Sequence, residues 1–180
     1  NGKEAETLDK RDQVFTYNVK TSVAQDATAF AVTDTLVDVL EFAGTSSAKL
    51  NGVALDASQI KVEGQTITLT LTEDQVKANG GQAVELTFDA KIKSGANLSA
   101  YLSEDKTVKV PNKAAYRADL PNKPGFTKDS NEVPVTPPTP EEPEIKKDVN
   151  GKEAETLDKR DQVFTYNVKT TVAQDATAFA

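Results

Sequence analysis

The stretch VELTFDAKI, residues 84–92, decides the reading of this chain. Val84, Leu86, Phe88, Ala90 and Ile92 fall on one face, and the polar residues between them fall on the other. Strict period-two alternation with one apolar face marks a β-strand lying on a core. Working outward, Ile67, Leu69 and Leu71 repeat the pattern, as do Phe30, Val32, Asp34 and Leu36. Phe15, Tyr17 and Val19 do the same, with Val14, Thr16 and Asn18 on the opposite face. Val39-Leu40-Glu41-Phe42 reads as a further strand, and Asn51-Gly52 between short apolar runs reads as a hairpin turn. The segments 108–116 and 131–135 supply the last strands. A single short helix is expected after Thr72. That residue is a good cap, Glu73 and Asp74 suit the first turn, and Asn79-Gly80-Gly81 ends it. About eight short strands separated by turn signals predict an all-β fold, an antiparallel β-sandwich of immunoglobulin type with one short helix.

The chain also repeats itself. Residues 1–31 recur as 150–180 with a single difference, Ser22 against Thr171. An offset of 149 positions suits one domain plus a linker, so a tandem array of whole domains is expected. Three parts follow. Residues 1–135 form a β-sandwich repeat lacking its opening strand, 136–144 a proline-rich linker, and 145–180 the opening strands of the next repeat. The linker reads TPPTPEEPE, with four prolines in nine residues. Extended polyproline II at about 3.1 Å per residue gives a semi-rigid spacer of roughly 28 Å.

Composition narrows the function. The net charge is −7, from 21 basic and 28 acidic residues mixed along the sequence. That balance argues against nucleic acid and anionic membrane as partners, and no apolar run is long enough to span a bilayer. Cys, His, Met and Trp are all absent. Disulfides and thiolate nucleophiles are therefore ruled out, a zinc or copper site lacks its usual ligands, and a Ser-His-Asp site cannot be built. No loop has calcium-ligand spacing, so no cofactor is expected.

Three polar residues break the apolar faces. Lys147 shares a face with Ile145 and Val149, Asp34 with Phe30, Val32 and Leu36, and Asn112 with Val108, Val110, Ala114 and Tyr116. A lone buried charge is costly unless it is paired or neutralised. Each residue also has an ordinary reading: Lys147 as a snorkelling strand lysine, Asp34 as a turn cap before Thr35, Asn112 as a turn residue after Pro111. Asn131, on a face with Val133 and Val135, is the rival to Asn112. Lys20 is the rival lysine, but it lies off the Phe15-Tyr17-Val19 face.

The stretches IKKDVNGK (145–152), FTYNVKT (15–21), VTDTL (32–36), VPNKAAY (110–116) and SNEVPVTPP (130–138) together resemble the isopeptide-forming immunoglobulin-like domains of Gram-positive pilins and collagen-adhesin-type surface proteins. The resemblance covers the whole repeat. It implies that an opening-strand lysine bonds to an asparagine on a late strand with the help of an early-strand aspartate. By position in the motifs these are Lys147, Asn112 and Asp34, with Asn131 as the alternative acceptor. A desolvated lysine loses its proton more readily, and a buried carboxyl stays protonated and donates to the amide oxygen. The amine then displaces ammonia from the asparagine. This is self-modification in a single turnover, so no enzyme is expected.

Lys147 belongs to the second copy, whereas Asp34 and Asn112 belong to the first. Strand exchange between chains is therefore one of the expected partnerships, beside neighbouring repeats of the same chain. The implied role is a stalk or spacer repeat of an extracellular, cell-wall-anchored adhesin or pilus-like protein. The alternative is an adhesive module that binds a host matrix protein through many weak copies.

Overall fold

The computed structural model describes residues 3–139 and 143–172. The central part of the proline-rich linker, 140–142, and the end of the second copy, 173–180, lie outside the described residues. The chain divides into two compact units, Asn1–Pro138 and Thr139–Ala180.

The first unit is the expected all-β sandwich with one short helix. One sheet has four strands, in the order β2 (Phe15–Ser22), β8 (Ala83–Ile92), β4 (Leu40–Leu50), β5 (Val53–Ala54). The other has five, in the order β10 (Lys123–Asp129), β9 (Ala114–Leu120), β3 (Ala29–Thr35), β7 (Thr66–Thr70), β6 (Ile60–Glu63). All pairings within these two sheets are antiparallel. A third, parallel pair joins β1 (Glu6–Thr7) to β11 (Val135–Thr136).

Strand β8 is the spine of the smaller sheet. Val84, Leu86, Phe88, Ala90 and Ile92 are all buried, as their alternation requires. They share one core with Phe30 and Val32 of β3 and with Ile67 and Leu69 of β7. Each of these side chains other than that of Ala90 contributes roughly 1.5–3 kcal/mol through burial. The helix α1 (Glu73–Ala78) begins where the sequence indicates. The Thr72 hydroxyl accepts from Gln75 N, and the Gln75 side chain accepts from Thr72 N, forming a capping box. Asn51 and Gly52 both have positive φ, 50° and 78°, and turn β4 into β5.

Two expectations change. The segment 108–116 is not one strand. Val108 and Val110 make only isolated bridges, to Leu102 and Val135, and the continuous strand β9 starts at Ala114. Pro111 explains the break, because it lacks the N–H that a ladder needs. Segment 131–135 likewise pairs only at its end, in β11. Between them lies β10, a strand the sequence hides. Its residues KPGFTKD hold a proline, a glycine and charges, and its only apolar ring, Phe126, is 38% exposed.

In the second unit, β12 (Lys146–Val149) pairs with β13 (Tyr166–Lys169) in an antiparallel two-stranded sheet. Asn150 and Gly151 turn with φ of 50° and 78°, the values seen at Asn51 and Gly52.

Candidate cross-link site

Asp34 and Asn112 are the two buried polar residues of the described core, 1% and 5% exposed. Each owes its position to strand geometry. β3 is the middle strand of its sheet, held by β9 on one side and β7 on the other. Its inward residues are Phe30, Val32 and Asp34. Asn112 sits just ahead of β9, where the chain is anchored twice. Val133 N donates to Asn112 O at 2.9 Å, and Val110 exchanges backbone bonds with Val135. Two residues on, Ala114 stands opposite Asp34 in the β3–β9 register. The two side chains therefore meet inside the sandwich, and Asn112 Nδ2 donates to Asp34 Oδ2 at 2.9 Å.

This pair is only half satisfied. Asp34 Oδ1, Asn112 Oδ1 and the Tyr17 hydroxyl are buried without hydrogen-bond partners. Burial raises the Asp34 carboxyl to about 7, and the bond from Asn112 offsets part of that rise. Burial, and secondarily the Asp34 charge, push the Tyr17 phenol up as well. Tyr17 thus belongs to the same polar pocket. Sequence reasoning passes over it as a core aromatic. The available signal is a phenol on the inward Phe15-Tyr17-Val19 face, with a polar tip that must end somewhere.

The amide orientation differs from the sequence expectation. The donor end of Asn112, not its oxygen, meets Asp34. An ionised carboxylate is acceptor-only and selects the amide N–H. A protonated Asp34 can donate to Oδ1 after a half-turn of the amide.

The remaining candidates stand elsewhere. Asn131 is exposed, and its backbone oxygen accepts from Ser130 Oγ at 2.6 Å. Lys20 points outward on β2, 3.8 Å from Glu85. Lys147 is also exposed, contrary to the inward position expected of it, as is Ile145 at 72%. The reason is physical: among the described residues the second unit is a two-stranded sheet, which has no second layer to bury a face. Within that unit, Lys147 stands opposite Val168, and its Nζ lies 4.1 Å from the centroid of the Tyr166 ring. That is cation–π distance.

Among the described residues no cluster of acidic side chains could hold a metal, and no helix is long and apolar enough to cross a membrane.

No protein-family model matches the chain. It is 66% identical over 179 residues to a part of Platelet adherence protein A of Streptococcus gordonii. The match covers 99% of this chain and about 5% of that relative's length. Among solved structures, it superposes on BcpA, the major pilin subunit of Bacillus cereus, with a TM-score of 0.64 and 25% identity. That match covers 82% of this chain and 40% of the pilin. Domains D2 and D3 of the major pilin SpaD from Corynebacterium diphtheriae share the fold, with a TM-score of 0.56 and 23% identity over 79% of this chain and 54% of theirs. The sandwich fold and the near-complete match to a stretch of Platelet adherence protein A agree: the chain shares the fold of the major pilins BcpA and SpaD and is similar to the immunoglobulin-like pilin and adhesin domains of Gram-positive surface proteins.

Proposed function

We propose that this chain is a stalk-forming repeat of a cell-wall-anchored surface protein, locked by a Lys–Asn isopeptide bond. In each complete repeat the lysine corresponding to Lys147 joins Asn112, and Asp34 assists. The supporting observation is the buried Asp34–Asn112 pair, in which one oxygen of each side chain is unpartnered, as is the Tyr17 hydroxyl. Leaving buried polar groups unsatisfied costs about 1–3 kcal/mol each, which a purely structural core avoids. An incoming ammonium satisfies Asp34 Oδ1 and cancels its charge.

The chemistry balances within the residues named. The Asp34 carboxylate takes a proton from the lysine ammonium. The free amine attacks Asn112 Cγ, the Nζ–Cγ bond forms, and the Cγ–Nδ2 bond breaks. One amine hydrogen passes to the departing nitrogen, which leaves as ammonia. An acid poised near 7 can both accept and return a proton. The reaction occurs once, and the chain is not a catalyst for outside substrates.

Under this reading 1–135 is the repeat body, 136–144 the spacer and 145–180 the start of the next repeat. The test is the intact mass of a complete repeat, in which the sequence 145–149 precedes Asn1. A mass short by one ammonia, restored when that lysine becomes Ala, supports the bond. A full mass sinks it.

A second reading is multivalent adhesion to a host matrix protein. The 66% identity to part of a protein named for platelet adherence favours it. Pull-downs with one repeat and with several separate the two, and no capture at either valency removes the adhesive reading.

A further inference from the structure

We infer that the tyrosine of the repeated FTYNVK segment, Tyr17 in the first copy and Tyr166 in the second, is the positioning residue for the cross-linking lysine, whose ammonium it seats on its ring face beside Asp34 and Asn112. The inference rests on the cross-link reading above and adds to it the group that holds the nucleophile.

The seat is visible in the second unit. Lys147 stands opposite Val168 in the β12–β13 pair, and its Nζ lies 4.1 Å from the centroid of the Tyr166 ring. Residues directly opposite in an antiparallel pair point to the same face, and so do residues two apart on one strand. Lys147, Val168 and Tyr166 therefore share a face. The first copy carries the same YNVK 149 positions earlier, as Tyr17 to Lys20. There the face is the buried one, since Tyr17 lies in the core and Val19 packs against it. The ring is also held alike in both copies. Tyr17 meets Phe15 edge to face at 5.4 Å, and Tyr166 meets Phe164 in the same way at 5.3 Å. Phe88 braces Tyr17 from β8 at 5.5 Å.

The lysine strand and β8 do not compete for this segment. Backbone groups of successive strand residues point to alternate sides. In the second unit Asn150 N donates to Thr165 O, so the backbone of Thr165 faces β12. In the first unit Val23 N donates to Gln82 O, so the backbone of Val23 faces the β8 side. Val23 lies an odd number of residues from the first-copy counterpart of Thr165, so β12 and β8 use opposite edges of the same sequence. In a repeat where 145–149 precede Asn1, the lysine comes in against Val19 and over Tyr17 while β8 keeps its place. The ring suits the reaction. Asn112 Nδ2 and Asp34 Oδ2 meet at 2.9 Å, and the Tyr17 hydroxyl is buried without a partner. Burial, and then the Asp34 charge, push the phenol up, so Tyr17 keeps its own proton and leaves that of the lysine to Asp34. A π face attracts an ammonium through its charge. The hold lapses as the proton moves from Nζ to the Asp34 carboxylate, and the neutral amine is free to turn to Asn112 Cγ.

The experiment uses the 180-residue chain with the sequence 145–149 placed ahead of Asn1, made in a cell-free system and quenched in acid at successive times. Intact mass gives the fraction that has lost ammonia. Tyr17→Leu should slow that loss on the order of tenfold, and Tyr17→Phe, which keeps the ring face, should restore it to within about threefold of the parent. Leu50→Ala is the control for a general loss of core stability, since Leu50 pairs with Val84 rather than with Phe88. It should slow the loss less than Tyr17→Leu does. A second readout avoids the core, because Lys147 and Tyr166 are exposed. In the chain without the added residues, the ring current of Tyr166 should move the NMR signals of the Lys147 ε-methylene upfield. Tyr166→Leu should abolish that shift, and Tyr166→Phe should keep it. Ammonia loss at the parent rate in Tyr17→Leu, or a slowing matched by Leu50→Ala, overturns this inference and leaves the cross-link reading standing. A Tyr17→Phe variant as slow as Tyr17→Leu also overturns it, since the hydroxyl and not the ring then matters. So does a Lys147 signal that Tyr166→Leu leaves unmoved. A parent repeat that keeps its full mass removes both readings.

Discussion

The segments at 15–20 and 164–169 have the same sequence, FTYNVK, and different surroundings. Their local geometry is the same. Phe15 and Tyr17 meet edge to face at 5.4 Å and 89°, and Phe164 and Tyr166 do so at 5.3 Å and 89°. Their burial is not. Phe15 and Tyr17 are 2% and 7% exposed, while Phe164 and Tyr166 are 40% and 56% exposed. Period-two strand geometry sets which side chains share a face, and that is written in the sequence. Whether the face is buried depends on the opposing sheet with β3, β7 and β9, which only the first unit has among the described residues. Stability and the polar pocket both come from that second layer.

The sharpest way to break the comparison is to make the same change in both copies. Tyr17→Ala removes a core aromatic and should cost roughly 3–5 kcal/mol in urea unfolding of the first unit. Tyr166→Ala should stay within about 0.5 kcal/mol of the parent in the same measurement. Equal losses would mean that the two copies share one environment after all.

Next in size is the pH dependence of the pocket. Asp34 has a carboxyl near 7 in the folded chain, against 3.8 for an unperturbed aspartate. The folded state therefore binds the proton more tightly, and stability from this group is full below about pH 4 and falls as pH rises toward 7. In a Lys147→Ala background, the first unit should be less stable at about pH 8 than at about pH 5 by on the order of 2 kcal/mol. Asp34→Asn should flatten that slope. The carboxyls of Asp56, Glu73, Asp105 and Asp148 are held below their usual range by hydrogen bonds, so their effects lie at more acidic pH. A stability that rises from pH 5 to pH 8 would contradict an Asp34 buried without a countercharge.

Smaller still is the local contribution of the capped helix. Thr72→Ala removes a hydroxyl acceptor and should cost about 1 kcal/mol. That is less than Tyr17→Ala, as expected if burial outweighs local devices. The smallest effect belongs to Lys147→Ala, which should leave unfolding of the first unit within about 0.5 kcal/mol, since an exposed side chain on a two-stranded sheet supports little.

Legibility in the sequence follows the same division. β8, β7, β3 and the Thr72 cap can be read because periodicity and capping are local. β10 cannot, since KPGFTKD looks like a turn and becomes a strand only by pairing with β9. Pro111 signals a break that the alternation of Val110, Asn112 and Ala114 obscures. Asp34 and Asn112 stand out as polar residues on apolar faces, and strand pairing brings them within hydrogen-bond distance. Tyr17 does not, because an isolated phenol is visible only once its neighbours are known. The exposure of Lys147 is hidden for the opposite reason: its strand has an apolar face, but nothing among the described residues of the second unit covers it.

The parallel pairing of β1 with β11 has a mechanical consequence. Strands β1 and β11 run side by side in the same direction, joined by bonds such as Leu8 N to Thr136 O at 2.8 Å. Tension entering β1 from its N-terminal side and leaving β11 from its C-terminal side slides the strands along one another. The bonds between them are then sheared together, whereas an antiparallel pair held the same way would peel open one bond at a time. The topology alone gives this unit a clamp aligned with the chain.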